Sequence, residues 1–445
     1  MSAGTRRAEG PTPMSQPPTS PVRDTLRGSA WLLFGDGLFV PTALVVSAYL
    51  ARRLGPSEFG VFALAGTVIG WLEWLIASVF SRAAVRQLAA ARDWRPVAAA
   101  VVRTMLATGA ALGVIVAALA VPVARLLGER GLVPLLYLAA IGAPVAGLAL
   151  SHRFVLTGLE RFRARALASS VRWIGRLVLV LVLVEAGLGV TGAVAATVGA
   201  AALEFLAARW FVRPPYLAAG PTPWRELIRL AVPLFLAGVS VRVFERIDLI
   251  CVQVIGGSAA GTGLYGAAQS LAALPAFIAT AATPALLASL TGLIAAGDRA
   301  SARMLSGHAL RAMLWLVPVA GAVALASGVL VRLMFGQDYA SAAPILAVLS
   351  VASLANVVLV VATTLLVAID RPWASVAVSS PLVPMAVAGH IVAIPRLGGL
   401  GAAVVTAAVS FFVAAIALVV VKRLSWAGAL AEVSGQGASA GLPQR

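Results

Sequence analysis

A chain of 445 residues that is 60% hydrophobic and only 11% charged carries too little polar surface to fold as a soluble domain of that size. Its formal net charge of +17 would suit nucleic acid, but the distribution of the basic residues argues against such a partner. All 34 basic residues except Lys422 are arginine, a bias that a GC-rich genome produces without any functional demand.

The composition implies an all-α polytopic membrane protein. Backbone groups in hydrocarbon must be satisfied within the segment, and helices of about 20 apolar residues achieve this. The apolar runs are long and lack a two-residue alternation, which excludes a closed β-barrel. The single cysteine, Cys251, excludes an intrachain disulfide and a cysteine-rich metal site.

In chain order, residues 1–28 are rich in Pro, Ser, Thr, Gly and Arg and read as a disordered cytoplasmic tail, with no apolar stretch to serve as a signal peptide. Twelve apolar spans follow, at 30–51, 59–81, 98–127, 131–157, 166–187, 189–212, 226–253, 262–294, 308–334, 340–368, 373–395 and 400–421. They divide into a six-helix lobe over 29–213, a cytoplasmic linker over 214–225 and a second six-helix lobe over 226–423. Residues 424–445 read as a loop-like cytoplasmic tail. Prolines within spans, among them Pro41, Pro144, Pro233, Pro275, Pro284 and Pro318, suit kinks or hinges and equally suit packing.

Alternate connections differ sharply in charge. With the N-terminus inside, inner connections hold 26 basic residues and outer ones six, while Arg242 and Arg246 lie within a span. The positive-inside rule then places both termini in the cytoplasm. The outer connections are short, so no extramembrane domain is expected and any chemistry must occur within the bundle.

The halves repeat. Gly60-Val61-Phe62-Ala63-Leu64-Ala65 matches Gly263-Leu264-Tyr265-Gly266-Ala267-Ala268 at a shift of 203, and Arg125-Leu126-Leu127-Gly128 resembles Arg332-Leu333-Met334-Phe335-Gly336 at 207. Leu156-Thr157-Gly158-Leu159-Glu160-Arg161 matches Leu366-Val367-Ala368-Ile369-Asp370-Arg371 at 210, and Gly192-Ala193-Val194-Ala195-Ala196-Thr197 matches Gly401-Ala402-Ala403-Val404-Val405-Thr406 at 209. Six spans per repeat keep the halves in the same orientation, related by an axis along the membrane normal. Two parallel bundles flanking a cleft suit alternating access.

The densest charge inside any span is Arg242, Glu245, Arg246 and Asp248. Each charge at a helix centre costs about 2.5–3.5 kcal/mol on insertion scales, so the four must pair or face a wet cavity. Helical spacing puts Arg242 and Arg246 on one stripe and Glu245 and Asp248 on a second beside it. One reading is a wet cavity that these charges line. The other is a local Arg242–Glu245 pair that neutralises the outer part of the helix. Glu73, flanked by Trp71 and Trp74, and Asp36 are further cavity candidates, Asp36 being equally suited to the interface. Arg82 and Arg86 stand at the entry side and Arg52 and Arg53 at the exit side, where interfacial anchoring explains them as well. Glu204 is expected to pair locally with Arg209. His152, His308 and His390 have no metal-ligand spacing, and there is no Walker A loop.

Several segments carry a family resemblance. Ala51-Arg52-Arg53-Leu54-Gly55-Pro56-Ser57-Glu58-Phe59-Gly60, Arg246-Ile247-Asp248, Leu333-Met334-Phe335-Gly336-Gln337-Asp338-Tyr339 and Gly399-Leu400-Gly401-Ala402-Ala403 resemble the Wzx-like oligosaccharide flippases. These are a branch of the multidrug/oligosaccharidyl-lipid/polysaccharide (MOP) exporter superfamily. The resemblance covers about residues 25–423. It implies a MATE-like pair of lobes around a cavity lined by spans 1, 2, 7 and 8. It also implies movement of polyprenyl-diphosphate-linked oligosaccharide from the inner to the outer leaflet of a bacterial cytoplasmic membrane, without covalent catalysis. The implied partners are that lipid-linked glycan, membrane lipids and glycan-assembly enzymes. The energy source is left open between a proton or sodium gradient, membrane potential and consumption of product. A cation-coupled multidrug exporter of the same superfamily is the competing reading. A polysaccharide polymerase or ligase is a third, disfavoured by the short outer loops.

Overall fold

The computed structural model describes Trp31 and residues 34–215, 224–274, 286–287, 289–294, 296–369 and 371–439, and within these there are helices and turns but no strands. The expected tail over 1–28 and most of the linker over 214–225 lie outside the described residues. Helix Phe39–Ala90 is broken at Gly55 into α1 (39–54) and α2 (56–90). Next come α3 (Trp94–Leu126), α4 (Leu132–Gly158), α5 (Phe162–Leu183), a π turn over Val184–Leu188, and α6 (Gly189–Phe211).

The second half begins with α7 (Trp224–Gly256) and α8 (Ala259–Ala272). Residues 299–335 form α9, built from the segments Arg299–Ala312, Leu316–Leu325 and Ser327–Phe335. Its middle is interrupted by a 3-10 turn at Met313–Trp315, just before Pro318. After α10 (Ala343–Ala368), residues 372–397 form α11 and 399–439 form α12, separated at Gly398. The loop-like character expected of 424–445 is not met as far as Ser439, where the backbone remains helical. The Ala, Leu and Glu of this stretch favour a helix and no proline interrupts it before Ser439.

Among the described residues, seven segments are long and apolar enough to cross a membrane. Three of them, of 45, 50 and 51 residues, are each two crossings long at about 20 residues per crossing. With α7 and α8 the chain reaches twelve. Chain direction reverses at Gly55. Asp36 pairs with Arg165 near the start of α5, and Tyr49 reaches Glu185 just past its end, so α1 and α5 run parallel. Glu73 of α2 meets Arg172 at mid-α5, while Glu58 lies beside Gly189, so α2 runs the other way.

The six turns at the Gly55 end share one device. Gly55, Gly128, Gly187, Gly257, Gly336 and Gly398 all have φ between 58° and 98°, a region that side-chain-bearing residues avoid. Three of these lie in each half, at corresponding turns. The connection 52–59, read from sequence as a loop, is helical on both sides of the single residue Gly55, because one left-handed glycine suffices to turn the chain.

Burial also distinguishes the two ends. At the Gly55 end one apolar core unites the halves: Val46, Leu50, Phe59 and Val194 pack with Leu249, Tyr265, Phe335, Tyr339 and Ala402. Toward the other end the halves have separate cores, one around Ile76, Leu88, Met105 and Leu156 and another around Phe244, Leu359, Leu366 and Val413.

Candidate functional site

Two charged clusters lie within the bundle, one in each lobe. The first follows from α7. Arg242 donates to Glu245 at 2.8 Å, and these side chains are 34% and 39% exposed. Arg242 lies on the side of α7 next to α2, where its Nη2 comes close to Gly70 and its carbonyl accepts from the Trp71 indole N–H at 3.3 Å. Trp74 stacks on Phe235 one turn further along, with centroids 5.6 Å apart.

Arg246 and Asp248 turn into the C-terminal lobe instead. Arg246 donates to Gln269 Oε1 at 2.6 Å. Asp248 is 2% exposed and accepts from the Tyr265 hydroxyl at 2.6 Å, from its neighbour's amide Leu249 N at 2.7 Å, and from Gln269 Nε2 at 3.1 Å. Thr406 of α12 donates at 3.5 Å. The two stripes expected from helical spacing therefore divide differently. Arg242 faces α2 with Glu245 paired to it, whereas Arg246 and Asp248 tie α7 to α8 and α12. Asp248 is buried within its lobe with its oxygens filled by these donors, as a buried carboxylate requires.

The second cluster crosses the N-terminal lobe. Arg172 of α5 clamps both oxygens of Glu73 at 2.6 and 2.7 Å, and its other nitrogen donates to Glu204 of α6 at 2.9 Å. Arg153 of α4 donates to the same Glu204 through Nε at 2.7 Å. Glu204 is therefore held by Arg153 and Arg172 across the bundle, a correction to the local Arg209 pairing expected from sequence. Asp36 pairs with Arg165 at 2.8 Å. A cavity of about 20 Å³ beside Glu73, between Ile69, Leu72, Gly142, Thr197 and Ala201, has room for a single water.

Arg153, Arg165, Arg172 and Arg176 are among the 26 basic residues assigned from sequence to the inner connections, yet the first three are paired inside the lobe. Their signal was present in the sequence: Arg165, Arg172 and Arg176 are spaced by seven and four residues, which is one helical stripe. Gln269, Tyr265 and Thr406 carried no such signal, being ordinary polar residues in apolar spans.

Arg52 and Arg53 do not act alike. Arg53 pairs with Glu185 at 2.8 Å with both side chains more than half exposed. Arg52 crosses to the other lobe, where its Nε donates to the Met334 carbonyl at 3.0 Å and its Nη2 to that of Leu333. In the reverse direction, Gln253 near the end of α7 donates to the Leu127 carbonyl at 3.0 Å. Each lobe thus sends a donor from the end of its first helix to the C-terminal carbonyls of the other lobe's third helix. The Tyr339 hydroxyl adds a bond to the Ala51 carbonyl at 3.2 Å. Beside these contacts Gly60 and Gly263, equivalent in the repeat, cross in direct contact. A Cβ on Gly60 would strike the Ala259 carbonyl, and one on Gly263 the Pro56 carbonyl. Arg82 and Arg86 lie on α2 toward the opposite end, and their side chains are outside the described residues.

The fold has known counterparts. An inward-facing multidrug resistance MATE family transporter of the MOP superfamily superposes with a TM-score of 0.69 at 16% identity, over 90% of this chain and 95% of its own. The lipid II flippase MurJ, in an inward closed conformation, gives 0.67 at 16% identity over 90% and 87%. A MOP superfamily transporter from Pyrococcus furiosus Vc1 (DSM3638), whose binding pocket is described as reversed in polarity, gives 0.62 at 17% identity over 92% and 97%. No curated protein matches the chain significantly. The family model described as polysaccharide biosynthesis protein matches residues 25–287, more than half of the chain and all of α1–α8. The chain is a multi-pass membrane protein of the polysaccharide biosynthesis protein family, with the fold of MOP superfamily transporters.

Proposed function

We propose that this protein is a flippase that moves polyprenyl-diphosphate-linked oligosaccharide from the inner to the outer leaflet of the bacterial cytoplasmic membrane by alternating access, without covalent catalysis. The observation that carries the reading is the concentration of guanidinium groups inside the bundle. Arg153, Arg165 and Arg172 pair in one lobe and Arg242 lies against α2 at the junction of the two. A diphosphate crossing about 30 Å of hydrocarbon needs fixed positive partners, and arginine offers paired donors without losing its charge.

Arg242 and Glu245 are the substrate-facing pair in this reading. Both are half-exposed and sit where the lobes meet, so the cation can meet phosphate while the carboxylate accepts from sugar hydroxyls. Arg246 and Asp248 position α7 against α8 and α12. The positive-inside asymmetry puts the Gly55 end outside and both termini in the cytoplasm. The shared apolar core, Arg52, Gln253 and the Gly60–Gly263 crossing then close the outer end, and the separate cores leave the lobes free to part on the cytoplasmic side. Outward opening requires these outer contacts to break.

The test is to delete the gene and analyse lipid-linked glycans in the inner leaflet. Accumulation of one such glycan, cleared by the wild-type gene, is the expected result. Hypersensitivity to cationic drugs with no accumulated glycan would instead assign the protein to cation-coupled export.

A further inference from the structure

Helix α5 carries a row of hydrogen-bond donors that no described residue accepts from. Eight buried side-chain nitrogen or oxygen atoms among the described residues have no hydrogen-bond partner, and four of them are Arg165 Nε, Ser169 Oγ, Trp173 Nε1 and Arg176 Nε. At 3.6 residues per turn these four, with Arg172 among them, fall within an arc of about 100°. Half of the orphaned atoms thus share one face of one helix. Ser169 is itself 1% exposed. Buried polar atoms are ordinarily paired, and leaving one unpaired is costly, so a cluster of them marks a place built for an absent acceptor.

The charges around this face show what that acceptor must be. The elements packed against it present Asp36 before α1, Glu73 on α2, Arg153 and Thr157 on α4, and Glu204 on α6. Each carboxylate is already engaged: Asp36 by Arg165, Glu73 by Arg172, and Glu204 by Arg153 and Arg172. Thr157 accepts from Arg165 Nη1 at 3.3 Å. Arg176 has no ion-pair partner among the described residues. Four guanidinium groups against three carboxylates leave one positive charge to be balanced, next to an indole N–H and a hydroxyl.

We propose that this face of α5 is a binding site for a phosphate ester, supplied by the diphosphate of the lipid-linked substrate or by a phospholipid headgroup. In the first case the site deepens the flippase reading and rests on it; in the second it does not. Phosphate matches the row because its several anionic oxygens accept from Nε–H, O–H and indole N–H donors together. Access runs past α1. Asp36, 45% exposed, occupies Arg165, and the Phe39 ring lies 4.7 Å from that of Trp173. Arg165 lies eleven residues from Arg176, about 16 Å along the helix, so it keeps Asp36, and an incoming phosphate displaces the Phe39 ring from Trp173 to reach Ser169, Trp173 and Arg176.

The experiment uses the full-length protein in lipid nanodiscs and measures binding of two probes, undecaprenyl diphosphate and phosphatidylglycerol, by native mass spectrometry. The variants are Arg176→Gln, Trp173→Phe, which removes one N–H while keeping the ring on Phe39, and Arg242→Gln as a control outside the row. Loss of a hydrogen bond to a charged group predicts roughly tenfold weaker binding by Arg176→Gln and a smaller loss by Trp173→Phe. If these losses are seen with undecaprenyl diphosphate, the site holds the substrate. If they are seen only with phosphatidylglycerol, the phosphate site stands and the flippase reading loses its support from α5. Wild-type affinity for both probes in both α5 variants overturns the site, even where Arg242→Gln weakens undecaprenyl diphosphate and upholds the flippase. Failure of the wild-type protein to bind either probe overturns it as well.

Discussion

The two lobes descend from one repeat, yet they handle internal charge in opposite ways. In the C-terminal lobe four ionisable residues lie within seven positions of α7, sum to zero charge, and the buried member is fully supplied with donors by α8 and α12. In the N-terminal lobe the charges are spread over α2, α4, α5 and α6, joined through the single hub Arg172, and Arg176 is left over. Conspicuous charge along a chain is therefore a poor guide to where a fold concentrates its electrostatics. A compact cluster can neutralise itself locally, while a dispersed one must be assembled by packing and keeps whatever imbalance that packing leaves.

The hub offers the sharpest way to break the contrast. Arg172→Leu strands Glu73 and Glu204 without their shared cation, and Glu204 is 1% exposed. Removing one partner of a buried pair costs about 3–5 kcal/mol, so this variant should show the largest loss of thermal stability in detergent. A change below about 1 kcal/mol, the scale of an exposed pair, would mean that the network is open to solvent.

The glycine crossing is the place where the halves should behave alike. Gly60→Ala and Gly263→Ala each push a Cβ into a backbone carbonyl of the opposite lobe. Overpacking of this kind costs about 1–3 kcal/mol, a shift of roughly five- to 150-fold away from the closed Gly55 end. Cysteine labelling at position 59 should rise in both variants to a similar extent. An effect from only one glycine would show that the crossing is not the symmetric contact its geometry indicates.

Asp248→Asn tests the self-contained cluster. An amide cannot accept from Tyr265, Leu249 N, Gln269 and Thr406 together, and stability should fall by about 1–3 kcal/mol, less than at the hub. The smallest stability change belongs to Glu245→Gln and Arg242→Gln, within about 0.5 kcal/mol for a half-exposed pair. Arg242→Gln should nevertheless abolish glycan export in a deletion strain. Full export by that variant would reduce Arg242 to an anchor of α7.

Much of the fold was legible along the chain. Twelve apolar spans and the repeat follow from hydropathy and local residue pattern, which act over a few residues, whereas the left-handed turn glycines emerged only from the backbone geometry. The candidate site was legible only in part. Arg242 and Glu245 do pair at the lobe junction, but helical spacing also grouped Arg246 with Arg242 and Asp248 with Glu245, and the two later residues point elsewhere. A stripe on an isolated helix says which residues share a face. It does not say which neighbour that face meets, or that one helix can serve two neighbours at once on adjoining faces.

The amino-acid sequence by itself determined that the protein lives in a membrane, that its backbone is helical, and that it is built twice over. Those properties depend on transfer free energies and local conformational preferences summed along the chain. Tertiary structure alone decided that Arg153, Arg172, Glu73 and Glu204 form one network, that Arg52 and Gln253 reach into opposite lobes, and that α5 retains donors without acceptors among the described residues. Charge interactions between helices depend on distance and burial, and residues as far apart in sequence as Glu73 and Glu204 acquire both only when the helices pack.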